Sequence, residues 1–441
     1  MKRLGIVSVG LALVVLAACG GGQQEVRVSG REGEATPTEI PAPTPTSIPT
    51  PAVTPIATPT AAPTEIPATT PTQGLPGIST PTPQAQTAVV TEYGIYVVRP
   101  DGSGLHRLGP LGPARVWNYS WSPVGKRVAF VETDCTSSTV ILAEADSESI
   151  RQLASVGGQA DVAWSPDGQR LLVWSLGGGL THILLIDAAG LEEPRELLDG
   201  PLTGSWGGFA WSPDSTRIAY VTSGNANVLD VAGGTTTTIA ADVGSNVYWA
   251  PDGKHLAYST GTNNDVVVVG ADGSDRLVVA SLGLNPQWMP DGQSLIFSRR
   301  PEDYPPEPSG SIAMVPAAGG PVEEIASGFP LDVSSDGNLA VVRKDENGRW
   351  EIDVFDLAAG GSRVVSGQVD AWGEGSFSPD GAEMLFRSDD ETAPGLYVVN
   401  VDGTGLRHVV QPDTGYTMFG KWSPDSRSIA FVVGSGGFCE G

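Results

Sequence analysis

Trp164-Ser-Pro-Asp-Gly168 is the stretch on which the fold turns, because it returns along the chain in altered copies. Trp121-Ser-Pro-Val-Gly125, Trp211-Ser-Pro-Asp-Ser215, Trp249-Ala-Pro-Asp-Gly253, Trp288-Met-Pro-Asp-Gly292, Val333-Ser-Ser-Asp-Gly337, Phe377-Ser-Pro-Asp-Gly381 and Trp422-Ser-Pro-Asp-Ser426 complete the set of eight. Their first residues lie 43, 47, 38, 39, 45, 44 and 45 positions apart. That is the period of a four-stranded repeat unit.

Each copy reads as a hairpin turn. Proline presets φ, Asp bonds its own backbone, and Gly accepts the positive φ that closes the turn. An apolar strand follows, as in Arg127-Val-Ala-Phe130, Arg217-Ile-Ala-Tyr220 and Ser428-Ile-Ala-Phe431. A second hairpin comes after most copies, with Gly94-Ile-Tyr-Val-Val98 before Asp101-Gly and Val266-Val-Val-Val269 before Asp272-Gly. Four strands per unit bury both faces only when the units stack radially, with the motif aromatic between neighbours. The expected fold is an all-β propeller of about eight blades, or seven should the degenerate unit at Val333 merge with a neighbour. The repeats open with a second hairpin alone and close with a first hairpin alone, so residues 94–108 and 418–434 are expected to make one composite blade.

The motif set resembles the WD40-like propeller repeat of the TolB type, also found in the propeller half of the prolyl oligopeptidase family. The resemblance covers about residues 88–441; the Val333 copy departs from it by lacking both Trp and Pro. It implies a propeller, and by analogy with TolB an extracytoplasmic setting among envelope partners. The peptidase activity is not implied, because its nucleophile belongs to a separate hydrolase domain and the sequence holds no Gly-x-Ser-x-Gly elbow.

Upstream the chain changes character. Lys2 and Arg3 precede an uncharged apolar run from Leu4 to Val15, and then Leu16-Ala17-Ala18-Cys19. This is a signal peptide pattern that resembles the lipobox of bacterial lipoproteins, in which the cysteine is acylated after cleavage. Residues 1–19 are therefore expected to be a signal, with Cys19 as the lipid (palmitate-type) anchor to the cell membrane. Residues 20–87 form a Pro/Thr-rich linker with fourteen prolines between Thr36 and Gln84, which can bury no core and is expected to be disordered. The propeller takes 88–441. Localisation is expected to be lipid-anchored and extracytoplasmic, on the cell surface or the periplasmic face.

With Cys19 acylated, Cys135 and Cys439 remain, each following the second strand of a blade that neighbours the other's in the ring. In an oxidising compartment they are expected to pair, with two free thiols as the alternative.

Charge and chemistry narrow the function. A formal net charge of −25 with scattered cations disfavours nucleic acid. No nucleotide-binding or zinc-protease motif occurs, so neither a cofactor nor a catalytic residue is assigned. His106, His182, His255 and His408 are dispersed round the ring and assign no metal. Asp167, Asp214, Asp252, Asp291, Asp336, Asp380 and Asp425 recur at one turn position and read as turn residues. The acidic runs Glu302-Asp303, Asp345-Glu346-Asn347 and Asp389-Asp390-Glu391 lack EF-hand spacing and read as solvated loops, with calcium binding as the alternative.

The connections into the first strands carry Trp117, Trp206, Trp372, Tyr416 and Phe419 with Asp370, Glu374 and Asp413. Aromatics mixed with carboxylates round a funnel suit a ligand rim. The Tyr304-Pro-Pro-Glu-Pro insertion is a second contact candidate. The leading expectation is a monomeric, non-catalytic binding or scaffolding module for a cell-envelope protein or glycan. The alternative is a propeller hydrolase or lyase acting on extracellular polysaccharide, with Asp370, Glu374 and Asp413 as acid and base.

Overall fold

The computed structural model describes residues 87–434, except 110–114, 135, 148, 178–179, 199–205, 300–309, 345–347, 391 and 414. At 117, 177, 180, 206, 207, 245, 340–344, 372–374, 416 and 419 it describes the backbone alone. The expected signal with Cys19 and the expected linker up to residue 86 lie outside the described residues, as do Cys135 and Cys439; Thr87, the last residue of that linker, is described.

The described residues form eight sheets with simple up-and-down order. We number them along the chain: sheet 1 spans 115–157, sheet 2 159–196, sheet 3 206–240, sheet 4 243–280, sheet 5 283–327, sheet 6 329–364 and sheet 7 371–412. Sheet 8 is composite. Its first two strands, Tyr416–Trp422 and Ile429–Gly434, come from the end of the chain, and Gly94–Val98 and His106–Leu108 from before sheet 1 complete it. Tyr96 pairs with Phe431 across the seam, and their rings stack at 5.6 Å.

The second and third strands of each sheet are covered on both faces, which is why they read as unbroken apolar runs rather than alternating ones. Val266–Gly270 is buried at every position, and so is Gly94–Val98. Eight hydrophobic clusters result, one between each consecutive pair of sheets. Tyr119, Phe130 and Val432 join sheets 8 and 1, Tyr258 and Val228 join sheets 3 and 4, and Phe297 and Val266 join sheets 4 and 5. Val398, Phe431 and Trp422 join sheets 7 and 8, so the series returns to its start. This is a β-propeller, and the N- and C-terminal strands close it. Last strands lie at the circumference, where Ser362–Val364 is exposed throughout. First strands meet near the axis.

A further strand has no counterpart in the repeat pattern. Ala88–Val90 adds to the outer edge of sheet 7, parallel to Arg407–Pro412 and in register with Val410–Pro412. Ala88 and Val90 enter the core between sheets 7 and 8. The Thr87 hydroxyl donates to the His408 carbonyl at 2.8 Å, and the Asp413 N–H donates to the Val90 carbonyl at 2.7 Å. The chain thus straps sheet 7 before entering sheet 8, and it covers one edge that would otherwise offer unpaired backbone groups.

Candidate functional site

The motif turn is built the same way in successive sheets. The Ser212 hydroxyl donates to Asp214 Oδ1 at 2.5 Å and accepts from the Arg217 N–H at 2.9 Å, while Asp214 also accepts from the Thr216 N–H at 3.1 Å. Asp167, Asp336, Asp380 and Asp425 each accept from the motif Ser, and Asp252 and Asp291 accept from the N–H two residues on. The turn reading of these aspartates therefore holds. Burial alone would raise Asp214, but the Ser212 and Thr216 hydroxyls and the Thr216 N–H outweigh it and hold the carboxyl at about 2.

The motif tryptophan ties neighbouring sheets together. Its Nε1–H reaches a carbonyl in the first strand of the preceding sheet: Trp121 to Lys421 (3.1 Å), Trp164 to Ser120 (3.0 Å), Trp249 to Ala210 (3.0 Å), Trp288 to Tyr248 (3.0 Å) and Trp422 to Ser376 (3.3 Å). An arginine from the preceding sheet covers the ring, as Arg127 does Trp164 at 5.0 Å, and donates to a motif carbonyl, here Gly168 at 3.1 Å. The face carrying these turns is thereby committed to holding the ring closed. The expected rim residues map to the opposite end, where the first strands begin.

There the first strands are irregular. Register shifts occur between Val116/Asn118, Trp206/Phe209, Val243/Val247, Leu284/Gln287, Pro330/Asp332, Ala371/Gly375 and Met418/Lys421. Among the described residues, the first strand of sheet 2 alone pairs without a shift. Bulges re-aim side chains and cluster beside functional sites, so a bulge repeated around the axis marks this end as the candidate rim.

The expected rim aromatics and Glu374 fall on these strands rather than in the connections before them, because the strands begin earlier than the hydrophobic pattern suggests. Trp117 is bulged in sheet 1, Trp206 opens the first strand of sheet 3, Trp372 and Glu374 are bulged in sheet 7, and Tyr416 and Phe419 belong to the first strand of sheet 8. Their side chains lie outside the described residues. Asp370 precedes the first strand of sheet 7 and accepts from the Trp350 N–H at 2.7 Å, so one of its oxygens fixes the sheet 6 to sheet 7 connection. Asp413 is exposed just beyond the outer strand of sheet 7 and hence stands away from the axis. The Tyr304 insertion, Glu302-Asp303, Asp345-Glu346-Asn347 and Glu391 lie outside the described residues.

Described polar groups at the rim link one sheet to the next. Asn118 Nδ2 donates to Asp161 Oδ1 at 3.0 Å, and Asn246 Oδ1 accepts from the Gly208 N–H at 2.8 Å. Asp332 accepts from its own neighbour Val333 at 2.9 Å and from Phe377 of sheet 7 at 2.8 Å. Burial outweighs both bonds and pushes its carboxyl up to about 6. Sequence reasoning missed Asp332; the one signal was the degenerate motif beside it, where no tryptophan is present to reach across.

The histidines are dispersed. His106 and His408 open or lie in outer strands and bond backbone carbonyls, His182 meets Glu196 at 3.1 Å, and His255 meets Asp252 at 2.8 Å. Among the described residues no cluster of three metal-ligating side chains occurs.

A closed ring of Trp-Ser-Pro-Asp-Gly sheets with an irregular inner rim defines a repeat propeller of the WD40-like class. The chain belongs to the TolB beta propeller domain family, whose model matches residues 84–319. Among solved structures it is similar to the oligogalacturonate lyase of Vibrio parahaemolyticus, at 16% identity over 71% of this chain and 97% of that one, with a TM-score of 0.50. It is also similar to TolB from Acinetobacter baumannii (15% identity, 73% and 79% covered, TM-score 0.38). A third similar structure is the β-propeller domain of the Trilobed protease from Pyrococcus furiosus (12% identity, 68% and 99% covered, TM-score 0.48). No curated protein matches the sequence. These likenesses describe the fold alone.

Proposed function

We propose that this chain is a lipid-anchored, extracytoplasmic propeller that binds a cell-envelope protein or glycan at its inner rim and does no chemistry there. The observation that carries this reading is the bulge repeated in the first strands at one end of the ring, where Trp117, Trp372, Glu374 and Phe419 sit. The opposite end is occupied by Ser–Asp turns and Trp–carbonyl bonds that close the ring. Cys19 after Leu16-Ala17-Ala18 supplies the anchor, and the Pro/Thr-rich residues 20–87 supply reach. A pull-down from envelope extract with the full chain tests it. Saturable capture that disappears in a Trp206→Ala/Trp372→Ala variant with an unchanged melting temperature supports the reading, and rim-independent capture contradicts it.

A second reading, a polysaccharide-acting hydrolase or lyase, is favoured by one observation, the inner-strand carboxyl of Asp332 that titrates near 6. Turnover of a polysaccharide by the wild type, abolished in Asp332→Asn, would establish it. Against it, both Asp332 oxygens already accept backbone N–H groups.

A further inference from the structure

Eight sheets in a ring meet at eight seams, and seven of these are crossed at the motif by a side-chain hydrogen bond. The indole N–H groups of Trp121, Trp164, Trp249, Trp288 and Trp422 cross five. Between sheets 2 and 3 the Trp211 N–H is unpaired, yet Arg170 lies 5.5 Å over its ring and donates to the Ser215 carbonyl at 2.7 Å. Between sheets 6 and 7 the Asp332 carboxylate accepts from the Phe377 N–H at 2.8 Å. Between sheets 5 and 6, among the described residues, no side-chain hydrogen bond crosses.

Two substitutions in the repeat produce this gap. Val333 holds the place of the motif tryptophan and has no side-chain N–H. Arg127, Arg170 and Arg217 follow their motifs at the position that covers the next ring, but sheet 5 places Ser294 there, which is too short to reach. Apolar contact remains, from Ile296, Ile312 and Met289 of sheet 5 against Leu339 of sheet 6. Met289 stands where the other copies carry Ser or Ala, and its terminal methyl lies 3.8 Å from where a Cβ on Gly337 would sit. Methionine fills an irregular gap, but its three rotatable bonds fix no geometry. The seam that the chain ends close, between sheets 8 and 1, is tied three times over. Trp121 reaches Lys421, Lys421 Nζ donates to the Tyr119 carbonyl at 3.0 Å, and the Tyr119 hydroxyl donates to the Ala430 carbonyl at 2.7 Å.

We infer that the ring opens between sheets 5 and 6, and not at composite sheet 8 where its two ends meet. In an array of repeats each unit is held by its own ladder and by the contacts with its neighbours, so opening follows the weakest seam. The other seams keep the molecule whole while this one parts, and the terminal strands stay paired. The axial mouth then widens beside the first strands of these two sheets, Gly283–Trp288 and Phe329–Val333. One sector of the mouth is thereby adjustable, next to sheet 7 with its bulged Trp372 and Glu374. Opening at this seam does not depend on what the rim binds.

Buried isoleucines in the third strands supply matched reporters. Ile95 faces the seam between sheets 8 and 1, Ile183 that between 2 and 3, Ile312 that between 5 and 6, and Ile352 that between 6 and 7; none is more than 2% exposed. Each is replaced by cysteine in the full chain, and alkylation by iodoacetamide in native buffer is followed by peptide mass spectrometry, which separates the reporter from the native cysteines. Ile312→Cys labels about tenfold faster than the other three, as one missing tie predicts. Leu339→Cys, on the facing wall of the same seam, labels at the same raised rate. Adding Ser294→Arg, which demands no new core volume, slows labelling of Ile312→Cys about threefold by reaching the Gly337 carbonyl. Adding Val333→Trp as well, whose indole N–H would meet the Gln287 carbonyl, slows it about tenfold and leaves Ile183→Cys unchanged. Equal rates at the four reporters, fastest labelling at Ile95→Cys, or a rate at Ile312→Cys that neither addition slows overturns the inference.

Discussion

The guanidinium of Arg217 lies 4.8 Å over the Trp249 ring and donates to the Gly253 carbonyl at 2.6 Å, so one side chain of sheet 3 grips both the aromatic and the turn of sheet 4. Trp249 answers with its indole N–H on Ala210. Sheet-to-sheet attachment therefore has a polar component repeated around the ring, on top of the buried aliphatic contact. Arg217→Ala is expected to cost about 1–3 kcal/mol, from a cation–π contact and a charge-assisted hydrogen bond. Arg217→Lys recovers only part of it, since an ammonium lacks the planar fork. Chemical denaturation of the three proteins checks the order.

Acid stability follows from the turns. Asp214 is held at about 2 in the folded chain, below its unfolded value, so its contribution is present above about pH 4 and is lost as pH falls toward 2. Asp167, Asp336, Asp380 and Asp425 are lowered as well, so their contributions vanish in the same direction. Melting temperature should fall steeply below pH 4, and Asp214→Asn should shallow that fall.

Asp332 carries the opposite sign. Its folded value of about 6 exceeds the unfolded one, so its favourable contribution is complete below about pH 4 and is lost as pH rises through 6. Removing it should flatten the decline in stability between pH 4 and 7 by on the order of 2–3 kcal/mol. Denaturation of wild type and Asp332→Asn across that range measures the difference in slope, whatever the variant's absolute stability.

Val90 is 2% exposed in the core between sheets 7 and 8. Val90→Asp would bury an unpaired carboxylate and should release the Ala88–Val90 strap rather than unfold the ring. Limited proteolysis is expected to cut near Thr91 in the variant and spare the wild type.

Cys135 and Cys439 lie outside the described residues, but the strands before them, Arg127–Thr133 and Ile429–Gly434, belong to sheets 1 and 8, which share a core. A disulfide between them would latch the ring, stabilising it by roughly 4–5 kcal/mol in the chain-entropy picture. Peptide mapping without reduction should recover the two cysteines linked; free thiols at both would exclude the latch.

Much of this architecture was legible because the turn chemistry is local. Ser, Pro, Asp and Gly act within five residues, so Trp164 to Gly168 discloses its hairpin from sequence alone, and the unpaired hairpins at either end disclose composite sheet 8. Three features were not legible. Ala88–Val90 pairs with residues more than three hundred positions away, and three apolar residues carry no period. The rim aromatics read as connections because bulges at Val116/Asn118 and Ala371/Gly375 break the alternation by which a strand is recognised. Asp332 and Trp211 owe their character to what the neighbouring sheet does or does not offer.

The most direct test of the central claim is capture of envelope protein and glycan by the full chain, with Trp206→Ala/Trp372→Ala as the rim variant and product analysis of every captured polysaccharide. Saturable capture that depends on the rim and leaves the ligand chemically unchanged is the predicted result. Capture indifferent to the rim, or release of shortened or unsaturated sugar, would contradict it.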